Sequence, residues 1–281
     1  MRRRDNIPKK GVLWIKGGLY LLLGTCAAIT MLPLIYLLAL SVSLYRESFT
    51  VLLWPHSFDW LNYVEAWLTA RLNIYMRNSA MVTLLALSVN MLVGTLAGYA
   101  FARFRFRFKE LFFYLFLGSL VVPGVATLIP LFINLKALGL LNTYSALVFP
   151  YAAQALPLTI IILRGFFQSL PPALEDAGRM DGASEFRIFW NIMLPLARSG
   201  LITAAVLQFV IHWDELVMAM TFMTDESKKT LPAGLIVLQG QYWTDYPVLA
   251  AALIMSLVPL VIIYAVSQKY FQRGFLIGSF R

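Results

Sequence analysis

A chain of 281 residues that is 60% hydrophobic and only 13% charged falls far short of the roughly 25% charged residues of a soluble domain. The net charge of +9 would suit a nucleic-acid partner, but the basic residues sit in short groups between long apolar runs, which assigns them to membrane topology. With Cys26 as its single cysteine, the chain can form neither an internal disulfide nor a cysteine-based metal site.

The apolar runs are 17–45, 78–102, 111–135, 137–163, 199–224 and 246–268, each longer than the about 20 residues that cross the hydrocarbon core. Only Asp214 and Glu215 interrupt them, both in 199–224. The runs predict an all-α integral membrane protein of six transmembrane helices. With both termini cytoplasmic, only Arg46, Arg71, Arg77, Lys136, Lys228 and Lys229 of the 23 Lys and Arg residues lie outside. That is the positive-inside bias of a cell inner membrane protein. The predicted organisation is a cytoplasmic tail over 1–16, a first transmembrane helix over 17–45, a periplasmic segment over 46–77, a core domain over 78–268 and a cytoplasmic tail over 269–281. The apolar stretch that follows MRRRDNIPKK is too long for a signal core, so it reads as a retained span.

In the segment after the first span, Asp59 is a candidate helix cap ahead of Trp60, Tyr63 and Trp67. These aromatic residues suit the membrane–water interface or contact with an extracytoplasmic partner. The second span, 78–101, carries Gly94, Ala97, Gly98 and Ala100 as a small-residue face for close helix packing. Pro123 and Pro130, then Pro150 and Pro157, predict spans that bend, around a pathway or simply in kinked packing. A tight external turn is expected over 138–144.

The longest polar-bearing segment of the second half is 174–195, LEDAGRMDGASEFRIFWNIMLP, which reads helix, glycine break, helix, stop. Ser169 is a candidate cap before Pro171 and Pro172. Glu175 and Asp176 follow where acids favour the positive end of the helix dipole. Gly182 can take the left-handed conformation that ends such a helix, Ser184 can cap the next, and Pro195 is expected to interrupt it. Ala177, Gly178 and Ala183 leave room for a partner surface. Phe186, Ile188, Phe189, Trp190, Ile192 and Met193 are expected against the membrane helices. The segment is a docking element outside the bilayer.

Residues that chemistry would need are missing. The sequence has no GxxxxGK[ST] loop, no GxSxG, CxxC or HExxH, and its two histidines, His56 and His212, lack ligand spacing. No catalytic, cofactor or metal site is expected, and energy must come from another subunit or an ion gradient. A charge within a span costs about 2.5–3.5 kcal/mol, so Asp214 and Glu215 call for a partner or water. Together with Trp213, Gln208 and Asn90 they are candidates for a pathway or gate, or for bonds between helices. Gln154 is a further polar group of the same kind. The piece opened by Leu231-Pro232-Ala233-Gly234-Leu235 is expected to be short and amphipathic.

Asp176-Ala177-Gly178, with Gly182 six positions after Asp176 and then Ile192-Met193-Leu194-Pro195, resembles the EAA signature of membrane subunits of binding-protein-dependent ABC importers. The Gly98–Phe106 ending of span two, the 138–144 turn, Trp213-Asp214-Glu215 and the Arg273-Gly274 tail are similar to its carbohydrate-uptake branch. The likeness is to the maltose-type permease subunit with the smaller periplasmic part. Asp176 stands for the usual Glu, Gly178 for the second Ala, Asp214 where Asn is commoner, and Gly278-Ser279-Phe280-Arg281 for the customary ending.

The resemblance implies a cytoplasmic helix-Gly-helix coupling loop, about 166–198, between spans four and five. That loop would sit in a cleft of a cytoplasmic ATPase through Glu175, Asp176, Ala177, Gly178, Asp181, Gly182, Ala183, Leu194 and Pro195. It further implies two ATPase subunits that bind the ATP, a second permease subunit (a different one fits the family, with a homodimer left open), an extracytoplasmic sugar-binding protein, and a sugar or sugar derivative as cargo. The chain itself would be non-catalytic, without cofactors and without a nucleic-acid partner. The alternative is an ion-coupled secondary transporter using Asp214 or Glu215 as the titrating group. A gradient-driven carrier has no need of a rigid ATPase socket, which weighs for the first reading.

Overall fold

The computed structural model describes residues 9–45, 55–239 and 244–278, with side chains described only between residues 16 and 269. Expectations for the N-terminal basic cluster, for 46–54 and for 279–281 lie outside the described residues. Among the described residues all regular structure is helical. Among the described residues, four helices are long and apolar enough to cross a membrane, or up to six if two sharply bent pairs each count as one. Two compact units form, Met1–Ala70 with Gln239–Met255, and Arg71–Leu238 with Ser256–Arg281.

The first unit opens with α1 (Lys9–Ser41), which carries Pro33 inside the helix. Its end is tied to α2 (Leu61–Leu68) by the buried Asn62, whose Nδ2 donates to Ser41 O (3.1 Å) and Ser43 O (3.0 Å). Ser41 Oγ and Tyr63 OH lie 2.8 Å apart. The amide of Leu61 donates to Asp59 Oδ1 at 3.0 Å, a turn just ahead of the helix, whose N-cap position is held by Trp60 and not by Asp59 as expected.

The second unit is built around α3 (Leu72–Arg103) and α6 (Ser145–Ser169). Helix α3 begins several residues before the predicted span, because Arg71 takes a left-handed turn (φ 57°) and starts it there. The two helices approach closely where the sequence has its small residues. A Cβ at Gly94 would lie 2.5 Å from Thr159 Cγ2, and one at Gly98 would lie 2.9 Å from Leu163 Cβ. The predicted third run is two helices, α4 (Lys109–Ser119) and α5 (Leu128–Ala137), meeting at 95° about a short turn at Gly124–Thr127. Pro123 stands at this break, where the preceding residue is held away from helical geometry. The fourth helix starts at Ser145, not near residue 137, because the chain first reverses through Gly139 (φ 68°) and Asn142 (φ 59°). Pro150 and Pro157 lie inside α6.

Helix α10 (Arg198–Trp213) is followed by α11 (Val217–Phe222), α12 (Leu231–Leu238) and α13 (Tyr246–Gly278). The piece expected to be amphipathic, α12, is apolar throughout: Leu231, Ala233 and Gly234 are buried, and its first amide donates to Ser79 Oγ at 2.7 Å. The loops at this end are knitted by two asparagines. Asn78 Nδ2 donates to Ser227 O (2.9 Å) and Lys229 O (3.0 Å), and Asn142 Oδ1 accepts from the amides of Thr224 (2.7 Å) and Asp225 (3.0 Å). Ser227 donates to the Asp225 carboxyl from its hydroxyl and its amide, which holds that carboxyl below its ordinary pKa. Helix α13 continues to Gly278, well into the segment expected to be a tail.

Candidate functional site

Helix α6 runs through Ser169, whose hydroxyl donates back to Phe166 O at 2.7 Å instead of capping the next helix. That helix, α7 (Ala173–Met180), starts after Pro172 without a side-chain cap, with Glu175 and Asp176 in its first turn. Gly182 has φ +76°, the left-handed conformation its position predicts. Ser184 Oγ accepts from the Arg187 amide (3.4 Å) and opens α8 (Glu185–Ile188).

The helical run does not stop at Pro195. It passes through a π-helical turn, Phe189–Met193, and α9 (Leu194–Leu196), and breaks at Ala197, beyond which α10 leaves at 73°. A π-turn is wider than an α-turn, so a proline just after it clashes less with the turn before. Arg179 spans the glycine break from α7, reaching Asp176 at 3.0 Å and Glu185 at 2.7 Å, and the Glu185 carboxylate raises the pKa of its guanidinium.

The two faces of α7 differ. Asp176, Ala177, Asp181 and Gly182 are exposed, with Met180 89% exposed beside them. Glu175 and Gly178 are buried. Gly178 therefore leaves no gap for a partner: a Cβ there would stand 3.0 Å from Ile188 Cγ1 and 3.1 Å from Ile192 Cδ1, side chains of the same loop. Its lower helix propensity, about 1 kcal/mol relative to Ala, accompanies this close approach. Ile188, Phe189 and Met193 are buried, whereas Phe186 and Trp190 stack at 6.2 Å on the exposed side. Ala183 and Leu194 are half-buried, and Pro195 is exposed.

Glu175 is 4% exposed and faces the end of α3. Tyr99 OH donates to its Oε1 at 2.8 Å, and Arg103 Nε lies 3.4 Å from the same oxygen. Arg103 Nη2 donates to Leu170 O at 2.7 Å, so one guanidinium holds both the carboxylate and the entry to the loop. The Tyr99 ring packs against Phe104, Phe167 and Phe189 with centroids 5.5, 5.3 and 4.9 Å away. A buried carboxylate is tolerable only with such partners. Glu175 and the Gly98–Phe106 ending that holds Tyr99 and Arg103 are marked in the sequence, but not their meeting. The available signal was the i, i+4 spacing of Tyr99 and Arg103, which puts both on one face of α3.

The polar residues predicted in the spans separate into three places. Asn90 is fully buried and bonds between helices: its Nδ2 donates to Ala152 O (3.0 Å) and its Oδ1 accepts from Thr159 Oγ1 (2.8 Å). Trp213 is buried and donates from Nε1 to Ser256 O at 3.3 Å. Asp214 and Glu215 are not inside a helix, since α10 ends at Trp213. Asp214 is exposed, and Glu215 caps α11 by accepting from the amides of Met218 (2.8 Å) and Ala219 (3.2 Å). Tyr151 OH also donates to Glu215, at 2.6 Å. A cleft of about 180 Å³ opens here, lined by Tyr151, Gln154, Gln208, His212 and Glu215 among apolar residues that include Leu120 and Ile211. Tyr151 and His212 were not foreseen in it. Their signal was faint, lone polar rings on otherwise apolar helices.

Comparison with known proteins returns one family model, "Binding-protein-dependent transport system inner membrane component", which matches residues 90–277. A probable ABC transporter permease protein, YurM of Bacillus subtilis, is 38% identical over 80% of this chain and 75% of the relative. The sulfoquinovosyl glycerol transport system permease protein SmoH of Agrobacterium fabrum is 34% identical over 81% and 80%. The trehalose/maltose transport system permease protein MalG of Thermococcus litoralis is 34% identical over 74% and 75%. Among solved structures, a bacterial ABC transporter involved in the import of the acidic polysaccharide alginate has a chain that superposes with TM-score 0.80. It covers 96% of this chain and 99% of its own at 24% identity, which speaks for the fold alone.

Proposed function

We infer, from a chain that belongs to the family of binding-protein-dependent transport system inner membrane components, how this ABC importer permease subunit is driven and what it carries. It is a non-catalytic membrane subunit, and hydrolysis of ATP belongs to partner chains. Our reading is that α7, the Gly182 break and α8 form the cytoplasmic coupling loop, with Asp176, Ala177, Asp181 and Gly182 on the face offered to an ATPase. The observation that carries it is the division of α7 into an exposed acidic face and a buried face anchored by Glu175 on Tyr99 and Arg103. Such a loop is presented outward yet moves as one body with α3, α6 and α10. Coupling of this kind is reciprocal, so a loaded binding protein outside must also bias the ATPases.

Six spans are obtained when each bent helix pair is counted as one crossing. One loop per chain and two ATPases imply a second permease subunit, and the family favours a different one. Relatives that carry sugars by name make a sugar or sugar derivative the proposed cargo.

Co-purification with an ATPase subunit is the direct test, and reporter fusions set the orientation. Fusions after Lys10, Lys109, Arg187 and Gln272 are expected to report cytoplasm, and fusions after Ser57 and Ser227 the outside. An external signal at Arg187 would defeat the reading, because the loop then meets no ATPase.

The two acids at the α10–α11 break are assigned no proton-carrying role. Glu215 accepts from two helix amides and a tyrosine, and Asp214 is exposed. Asp214→Asn and Glu215→Gln are each expected to leave uptake ATP-dependent and insensitive to proton uncouplers at clamped ATP. Conversion of either variant to gradient-independent exchange would assign a coupling ion to that carboxylate.

A further inference from the structure

The cleft between α6 and α10 is lined by five polar side chains, of which Gln208 is tied into the packing, its Nε2 donating to Ala155 O and Thr159 Oγ1 at 3.2 Å. Tyr151 and Gln154 come from α6, Gln208 and His212 from α10, and Glu215 from the break that follows. Packing alone would fill such a space with apolar side chains. Here Gln154 is exposed, and it lies over Gly124, where a Cβ would be 3.7 Å from its Nε2, so the break in the third apolar run leaves the amide uncovered.

Hydrogen-bonding capacity is left over. His212 is 5% exposed, stacks on Tyr151 at 5.4 Å, and keeps Nε2 buried without a partner. Buried polar atoms are almost always satisfied, so this one calls for a visiting group. A carboxylate has about four lone-pair positions, and Glu215 uses three of them, on Tyr151 OH and the amides of Met218 and Ala219. Gln154 adds a free amide that both donates and accepts. A ligand matching this set has several groups that donate and accept alternately around a compact frame, which describes the hydroxyls of a sugar ring. An enclosed cavity of about 150 Å³ takes up benzene, so an open cleft of about 180 Å³ has room for about one ring.

Charge then selects among rings. The described side chains lining the cleft include one carboxylate and no Lys or Arg. A uronate or sulfonate in this partly dehydrated space would face Glu215 with nothing to neutralise it.

We propose that the cleft formed by Tyr151, Gln154, Gln208, His212 and Glu215 is a subsite in this chain for one uncharged, hydroxyl-rich sugar ring, and that Glu215 disfavours acidic rings there. The proposal rests on the carbohydrate reading above and goes beyond it by naming the ring's charge and the residues that receive it.

The test uses the assembled complex of this chain with its ATPase and partner permease. The chain carries Cys26→Ser, which removes its native thiol, and Gln154→Cys, a thiol at the mouth of the cleft. Labelling by N-ethylmaleimide is followed on this chain by mass spectrometry in the presence of matched glycosides, methyl glucoside against methyl glucuronide and methyl galactoside against methyl galacturonide. At least one neutral glycoside is expected to slow labelling on the order of threefold, with its acidic counterpart having little effect. Glu215→Gln, whose amide oxygen can still accept from Tyr151 OH and the Ala219 amide at the loss of the Met218 bond, is expected to bring each acidic glycoside close to its neutral counterpart. Equal protection by both members of each pair, or protection by none, overturns the proposal. Failure to assemble with an ATPase would instead strike the importer reading. A binding protein that stimulates hydrolysis only when loaded with a non-sugar would strike the carbohydrate reading.

Discussion

A Gly182→Asp chain is expected to insert and accumulate in the membrane as the parent does, yet to support no measurable uptake. Gly182 sits at φ +76°, and a Cβ built there meets nothing within 4 Å, so the penalty is not steric crowding by neighbours. It is the backbone itself: an L-residue with a Cβ pays about 1–2 kcal/mol in the left-handed region. Asp tolerates that region better than most residues, so the fold survives, but a third acidic group then joins Asp176 and Asp181 on the exposed face. A loop that must seat in a partner is sensitive to both changes, because a small shift in the angle between α7 and α8 misplaces everything beyond Gly182. Gly182→Asn separates them. It is similar in shape, also tolerates left-handed geometry, and adds no charge, so it is expected to keep a substantial part of the uptake. Uptake of radiolabelled sugar, set against the amount of chain in the membrane, reads out both. Normal uptake by the aspartate variant would remove the coupling role.

Glu175→Ala is expected to be the most damaging single change in the described loop. It leaves the Arg103 guanidinium, 10% exposed at its side chain, without its carboxylate, and Tyr99 OH without its acceptor. Removing one partner of a buried pair costs on the order of 3–5 kcal/mol, much of it for the charge left behind. The expected result is a lower thermal midpoint of the purified subunit complex and ATP hydrolysis that no longer responds to the binding protein. Arg103→Met in the same chain removes the stranded charge. The double variant should therefore recover part of the thermal midpoint, a non-additivity that a mere packing defect would not produce. Coupling should stay low, because the loop has still lost its tie to α3. Additive losses in stability would show that the pair is not a unit.

The all-helical membrane class was written in composition, because the bilayer makes a one-dimensional demand. About 20 apolar residues without charge must become a helix there, as no water is present to satisfy any other backbone. For the same reason the glycine break and Ser184 were legible. Left-handed turns and caps depend on one or two residues, and both stand where the sequence puts them. Gly94 and Gly98 likewise announced a close approach, though not that Thr159 and Leu163 of α6 would be the surface approached.

Breaks and meetings escaped the one-dimensional reading. Pro123 announces a bend in 111–135 but not its 95°, and an uncharged run gives no sign that α10 ends just before Asp214 and Glu215. Ser169 and Pro195 follow local rules that tertiary structure overrode, the first because α6 continues through it, the second because a π-turn precedes it. What only the tertiary structure decided is which polar groups meet: Glu175 with Tyr99 and Arg103 across more than seventy positions of chain, and Glu215 with Tyr151 and His212 around one cleft. Hydrophobic patterning is a property of each helix and can be read along it, whereas the partner of a buried polar group is chosen by how helices pack, and that is settled in three dimensions.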